Sequence, residues 1–292
     1  MTTHNNHATA LMVVGHGTTS ADGIRQFTEV VEQLRNRVDV PVGHGFLELA
    51  EPDINSGISK LLTKHDCSDV IVLPLLLLAA GHVKNDVPAS LLEARKNFGE
   101  VNFKYARDLS ITPTLLEIVE DRSHSPFEFV HGHKRPKRKR KFTLLVGRGS
   151  TDLDANSDLY KIARLLTERG ALGEVEPAFI SLAPPNVTDA LDKLELLGAT
   201  EITIAPYFLF AGTLLQRIYS QSRAWQTHNP DVTLGFAREM GPDPRIVDLL
   251  IQRSTEIQLP LKLTNCDMCI YRSEIPGRPP QLAPAGGHPH RH

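Results

Sequence analysis

Leu11-Met-Val-Val-Gly-His-Gly-Thr18 is an apolar segment that runs into a Gly-x-Gly turn, and Leu144-Leu-Val-Gly-Arg-Gly-Ser-Thr151 repeats the same pattern. An apolar run that ends in a glycine turn is typical of a buried strand in a parallel sheet. The two segments therefore predict the first strand of two similar domains.

Two further matches follow in the same order along the chain. Phe-Leu-Glu-Leu-Ala-Glu-Pro-Asp at residues 46–53 corresponds to Phe-Ile-Ser-Leu-Ala-Pro-Pro-Asn at residues 179–186, and the apolar run at residues 70–81 corresponds to residues 202–212. The spacing between the copies is nearly constant. Three ordered matches at one spacing indicate a duplicated domain.

Amphipathic segments lie between the predicted strands. Residues 22–38 carry apolar side chains at helical spacing, and residues 54–64 do the same. Alternating strands and helices build a parallel sheet with helices on its faces. The sequence therefore predicts an α/β fold of two similar domains, at residues 1–123 and 142–258, each a small parallel β-sheet flanked by helices. A His-rich basic linker at 124–141, expected to be mobile, joins them, and a Pro/His-rich tail follows at 259–292.

Length and composition fit this organisation. The 292 residues include 41% apolar residues, with 32 Lys and Arg against 34 Asp and Glu, which suits two ordinary globular domains. The longest apolar run, residues 70–80, is broken by Pro74 and is about half the roughly 20 residues that a membrane helix needs. The first nine residues are polar, unlike a secretion signal. A cytoplasmic protein without a membrane partner is expected.

The candidate site residues follow predicted strands of the first copy. His16 follows the first strand, Glu48 the second and His82 the third. Loops at the carboxyl ends of parallel strands converge on the ligand site in folds of this kind. Imidazole and carboxylate together suit divalent first-row metals, and two or three protein ligands leave positions open for an incoming group. We therefore expect a site for a metal ion in transit.

The second copy lacks all three residues. Arg148, Ser181 and Thr213 stand where the first copy has His16, Glu48 and His82. The scaffold does not require the His and Glu side chains, because the copy has the same pattern without them. This difference favours a functional role over a structural one.

With these motifs the sequence resembles the sirohydrochlorin cobaltochelatase family in its long two-domain form. The resemblance rests on Val-Gly-His-Gly at residues 14–17, on residues 46–52 and on Leu-Leu-Leu-Leu-Ala-Ala-Gly-His-Val-Lys-Asn-Asp at residues 75–86, and it extends over residues 10–255. It implies ATP-independent insertion of Co2+ or Fe2+ into the tetrapyrrole sirohydrochlorin. It further implies that His16 and His82 are metal ligands and general bases, with Glu48 as a third partner.

Sirohydrochlorin carries eight carboxylates, so an acidic protein needs local cations to bind it. Arg148, Lys84 and Arg217 are candidates to pair with these carboxylates. The alternative is that all three are ordinary surface charges.

The tail contains Cys266-Asp-Met-Cys269, which resembles the cysteine-containing tail of long family members, where an iron–sulfur cluster has been associated with it. One chain offers two thiolates, whereas four are the norm for such clusters. An iron–sulfur centre, a thiol pair that handles metal and no role at all remain open for Cys266 and Cys269.

The sequence also has features of other functional classes. The basic run at residues 134–141 permits phosphate contacts, but no aromatic platform or recognition motif accompanies it, so no nucleic-acid partner is expected. A metal-binding or metallochaperone protein without catalysis is the alternative of another class.

Cobalt in cobalamin biosynthesis is favoured over iron in sirohaem biosynthesis. The chain is expected to be a monomer or a homodimer.

Overall fold

The fold is taken from a computed structural model that describes residues 9–78, 80–133 and 138–257, with the backbone alone described at residues 82 and 83. Its helices and strands alternate along the chain. In chain order they are β1 (Thr9–Gly15), α1 (Ala21–Arg35), β2 (Val42–Phe46), α2 (Ile54–Lys64), β3 (Asp69–Pro74), a π-helical turn (His82–Asp86), α3 (Val87–Asn97), β4 (Asn102–Tyr105), α4 (Pro113–His124), β5 (Glu128–Val130), β6 (Lys141–Gly147), α5 (Leu153–Arg169), β7 (Glu174–Phe179), α6 (Val187–Leu196), β8 (Glu201–Pro206), α7 (Thr213–His228), β9 (Thr233–Phe236) and α8 (Pro244–Glu256).

Two parallel sheets form the centres of the two copies. The first has the strand order β2-β1-β3-β4, and all its described pairs are parallel. The second has the order β5-β9-β8-β6-β7, in which only the pair β5–β9 is antiparallel among the described strands. The order β7-β6-β8-β9 repeats the order of the first sheet. The predicted α/β class with two parallel-sheet domains is confirmed.

Apolar side chains cover equivalent positions of both sheets. Met12 and Val72 of the first sheet are fully buried with Ile58 of α2, and Leu144 and Ile204 of the second sheet are fully buried in a matching cluster. Burial on both faces explains why β1 and β6 read as continuous apolar runs. No helix in the described ranges is both long and apolar enough to cross a bilayer.

The compact units of the chain differ from the sequence repeats. One unit contains residues 28–110 together with residues 9–18 and 247–257, and the other contains residues 19–27 and 111–246, as far as the chain is described. Helix α4 thus belongs to the unit that the second repeat builds, and α8 from residue 247 on belongs to the unit that the first repeat builds. The boundaries predicted at 1–123 and 142–258 follow the repeats, and they stay a prediction.

Helix α8 is held in the first unit by a buried guanidinium. Arg253 is 2% exposed, and it donates to the backbone oxygens of Asp108 at 2.8 Å and Leu109 at 2.7 Å. It also donates to Glu256 at 3.0 Å, and Arg107 binds the same carboxylate. The hydrogen bonds with Arg107 hold the pKa of Glu256 below its ordinary value.

Part of the predicted linker is a strand. Residues Glu128–Val130 pair with β9, so the expectation of a linker without structure was wrong for this part. Phe129 packs against Gly235, Phe127 lies edge-on to Tyr219, and Arg223 binds Glu128 at 3.2 Å through Nε. Aromatic side chains and one ion pair therefore stabilise a short edge strand within a polar segment. Residues 134–137 of the basic run lie outside the described residues.

Replacement of Arg253 by leucine should destabilise the first unit. The change leaves the Asp108 and Leu109 carbonyls without their charged donor, so the free energy of unfolding should fall by about 3 kcal/mol. Arg164→Leu removes an exposed ion pair with Glu168 and is the control, with an expected change below about 0.5 kcal/mol. Urea denaturation measures both. An equal fall in the free energy of unfolding in both variants would show that the buried Arg253 stabilises the protein no more than an exposed ion pair does.

Candidate functional site

The first site residue is fixed by the turn after β1. His16 stands between Gly15 and Gly17, and its side chain is 26% exposed. Gly17 has a φ of +94°, a left-handed conformation that favours glycine. A Cβ atom at residue 17 would lie 1.7 Å from the backbone oxygen of Glu48. Only glycine allows this turn to lie against the loop that follows β2.

Backbone hydrogen bonds extend the pairing of β1 and β2 beyond the strand ends. The N–H of Leu47 donates to the oxygen of Gly15 at 3.0 Å, and the N–H of Glu48 donates to the oxygen of His16 at 3.0 Å. These bonds set His16 and Glu48 side by side, although they are far apart in the sequence.

The two side chains meet. Nε2 of His16 lies 3.4 Å from Oε1 of Glu48, and the Glu48 side chain is 48% exposed. The separation is longer than an ordinary hydrogen bond of about 2.7–3.2 Å. The pair combines a nitrogen and an oxygen donor at a solvent-accessible position, so it can accept a proton or bind a cation.

The third candidate, His82, begins the π-helical turn that precedes α3. Its backbone is described and its side chain lies outside the described part of the structure. In the second copy the regular helix α7 begins at Thr213, the position that matches His82. Turns of the π type are rare and are frequent at functional sites. Among the described side chains, no group of three or more His, Cys, Asp or Glu residues could hold a metal ion.

The predicted substrate-binding cations differ in exposure. Arg148 is exposed directly after β6, and Arg217 is exposed in α7, where it donates to the backbone oxygen of Ile180 at 3.1 Å. Lys84 is only 5% exposed within the π-helical turn. The sequence places Lys84 near the site but does not show that it is buried. Cys266 and Cys269 lie outside the described residues.

The second copy has the same backbone without the polar pair. The N–H groups of Ile180 and Ser181 donate to the oxygens of Gly147 and Arg148, both at 3.0 Å. Gly149 has a φ of +84°, and a Cβ there would lie 1.8 Å from the oxygen of Ser181. The scaffold therefore forms equally well with arginine and serine at these positions.

The sequence predicts His16 and Glu48 as candidate side chains. It does not predict the backbone contacts that bring them together. The signal for the Gly17 contact was present as Gly-x-Gly in both copies. The sequence does not identify the backbone oxygen of Glu48 as the group that Gly17 contacts, because no sequence pattern shows which carbonyl a glycine approaches.

Comparisons with known proteins agree with the duplication. The sequence model of the CbiX family matches the chain twice, over residues 10–125 and 142–257. The sirohydrochlorin cobaltochelatase of Priestia megaterium is 32% identical over 269 residues, which cover 91% of this chain and 85% of that protein.

Two further proteins are similar over most of the chain. The sirohydrochlorin ferrochelatase of Bacillus subtilis (strain 168) is 30% identical over 251 residues, covering 85% of this chain and 91% of that protein. The structure of SirB from Bacillus subtilis with Fe3+ matches with a TM-score of 0.72 at 28% identity, covering 86% of this chain and 96% of that one.

Replacement of Gly17 by alanine should disturb the turn and the fold. The new Cβ collides with the Glu48 carbonyl and the φ is unfavourable for alanine, so a loss of about 2 kcal/mol or more is expected in the free energy of unfolding. Gly99→Ala is the matched control, because a Cβ there lies 3.8 Å from its nearest neighbour, the oxygen of Arg95. Denaturant titration compares the two variants. A Gly17→Ala protein as stable as Gly99→Ala would contradict the proposed contact.

Proposed function

This chain belongs to the CbiX family, the family of the sirohydrochlorin chelatases, and we propose that it inserts a divalent metal ion, Co2+ in preference to Fe2+, into sirohydrochlorin without ATP. The reaction is that of a lyase-type chelatase. It serves cobalamin biosynthesis when the metal is cobalt and sirohaem biosynthesis when it is iron.

The pair of His16 and Glu48 is the observation that carries the proposal. Two ligand atoms bound to one metal ion at about 2.1 Å each, with a near-tetrahedral angle, lie about 3.4 Å apart. This is the separation of Nε2 and Oε1. The two donors therefore lie at a spacing that a single tetrahedral ion can bridge.

The second copy supports the assignment. Arg148 and Ser181 occupy the same backbone positions with the same hydrogen bonds, and a guanidinium cannot bind a cation. Metal handling is thus assigned to the first copy. His82 is the proposed third ligand, because it follows the third strand of the same sheet as the other two.

Metal insertion also requires the removal of two protons from the pyrrole nitrogens of the macrocycle. Imidazole is the side chain whose protonation state changes near neutral pH, so it is suited to accept these protons. The carboxylate of Glu48 faces the ring of His16 and stabilises the imidazolium that forms. His16 and His82 are the proposed general bases: each ring nitrogen that releases the metal to the macrocycle then accepts one of the two pyrrole protons and passes it to solvent.

The substrate brings a high negative charge, which the protein must pair with cations. Arg148 and Arg217 are exposed and are the proposed partners of the substrate carboxylates. Lys84 is buried, so no direct contact with the substrate carboxylates is proposed for it.

The iron alternative has support of its own. The Bacillus subtilis relative is named a ferrochelatase, and the matched SirB structure contains Fe3+. Nitrogen and oxygen donors accept both ions, and metal availability selects between them in many sites. Cobalt is preferred because the cobaltochelatase of Priestia megaterium is 32% identical over 91% of this chain.

The remaining features stay predictions. An iron–sulfur cluster at Cys266 and Cys269 needs two further ligands from elsewhere, because four cysteines are usual. The same status holds for the cytoplasmic location, the monomeric or homodimeric state and the lack of nucleic-acid and membrane partners.

Replacement of His16 or His82 by alanine should lower kcat by at least about tenfold, because each change removes a ligand and a base. The measurement is the visible absorbance of sirohydrochlorin after anaerobic addition of Co2+. His228→Ala, an exposed histidine in α7, is the control and should turn over normally. Wild-type kcat in both His16→Ala and His82→Ala would refute the assigned site. A wild-type protein that binds Co2+ without a spectral change would indicate a metallochaperone.

The metal preference is tested by parallel insertion rates under anaerobic conditions. With equal free concentrations of Co2+ and Fe2+, the initial rate with cobalt should exceed that with iron. A faster reaction with Fe2+ would assign the protein to the sirohaem branch instead.

A further inference from the structure

Leu49, the residue after Glu48, has an unusual backbone and an exposed side chain. Its φ is +62°, in the left-handed region that side-chain-bearing residues rarely adopt. Its side chain is 60% exposed, the largest value among the bulky apolar residues described for the first compact unit. The leucine thus carries a strained backbone without a compensating place in the core. Glycine or asparagine would suit the backbone better.

The position of Leu49 places it beside the proposed metal ligands. The N–H of Glu48 donates to the oxygen of His16 at 3.0 Å, and the Cα atoms of Glu48 and Leu49 are about 3.8 Å apart, as in any trans peptide. A macrocycle bound at the His16–Glu48 pair is much wider than this spacing, so it extends over the position of Leu49.

The second copy has an equivalent leucine without the metal-binding pair. Leu182 has a φ of +63° and is 62% exposed, although Ser181 precedes it and Arg148 replaces the histidine. The loop conformation therefore does not depend on the polar pair. The second copy also keeps the apolar side chain, so its presence at this position does not depend on the metal-binding pair.

We propose that Leu49 is a substrate-contact residue, whose side chain packs against the flat apolar face of the tetrapyrrole next to the metal-binding pair. This inference rests on the proposed function. A tetrapyrrole has an apolar ring face and an anionic edge, so an exposed leucine suits the face and arginines suit the edge. Contact with the ring buries the exposed leucine when substrate binds, which is the stabilisation that the free protein lacks.

Leu49→Asn tests the contact with little change to the loop. Asparagine tolerates the left-handed backbone and removes the apolar surface. KM for sirohydrochlorin should rise about tenfold, equivalent to about 1.4 kcal/mol, while kcat at saturating substrate stays within about twofold, as loss of uniform binding predicts. The urea midpoint should be unchanged or higher.

Two further variants make the result specific. Leu49→Met keeps an apolar side chain and should keep KM within about twofold of the wild type. Leu92→Gln is the matched control, because Leu92 is 47% exposed on α3, and its KM should not change. An unchanged KM in Leu49→Asn, or an equal rise in Leu49→Met or Leu92→Gln, would overturn the inference. A wild-type chain that inserts no metal would instead overturn the proposed function itself.

Discussion

The site depends on one backbone contact, the seating of the Gly17 turn on the carbonyl of Glu48. Parallel pairing of β1 with β2 ends at Gly15 and Phe46, and two more backbone hydrogen bonds carry the alignment as far as His16 and Glu48. A left-handed glycine without a Cβ then closes the turn over the second loop. The pairing of the strands places the backbones of His16 and Glu48 side by side. The side-chain rotamers then bring the imidazole and the carboxylate together.

The same backbone contact occurs in both copies of the duplicated domain. A Cβ atom at residue 17 would lie 1.7 Å from the backbone oxygen of Glu48, and one at residue 149 would lie 1.8 Å from the backbone oxygen of Ser181. The backbone is therefore the same in both copies, and the copies differ in the side chains at two positions. His16 and Glu48 present donors to a cation, whereas Arg148 presents a cation to an anion.

Much of the fold could be predicted from the sequence, because buried parallel strands and amphipathic helices leave strong local patterns. Three ordered matches between the copies predict the duplication, the alternation of apolar strands and amphipathic segments predicts the α/β class, and the motifs at residues 14–17, 46–52 and 75–86 carry the family resemblance. Features that depend on tertiary contacts were not predictable. The strand Glu128–Val130 lies in a polar, charged segment, and its partner β9 is about a hundred residues away. The placement of α4 and α8 depends on contacts such as those of Arg253, whose charge alone predicts exposure. The sequence likewise does not predict that Lys84 is buried. It also does not predict that Leu49 has a left-handed backbone conformation.

The central claim is that His16 and Glu48 share one metal ion. Anomalous diffraction at the cobalt edge, from crystals of the chain soaked anaerobically with Co2+, tests it most directly. The account predicts a cobalt peak about 2.0–2.2 Å from both Nε2 of His16 and Oε1 of Glu48, with no cobalt at Arg148 and Ser181. Cobalt bound elsewhere, with both atoms outside its coordination sphere, would contradict the account.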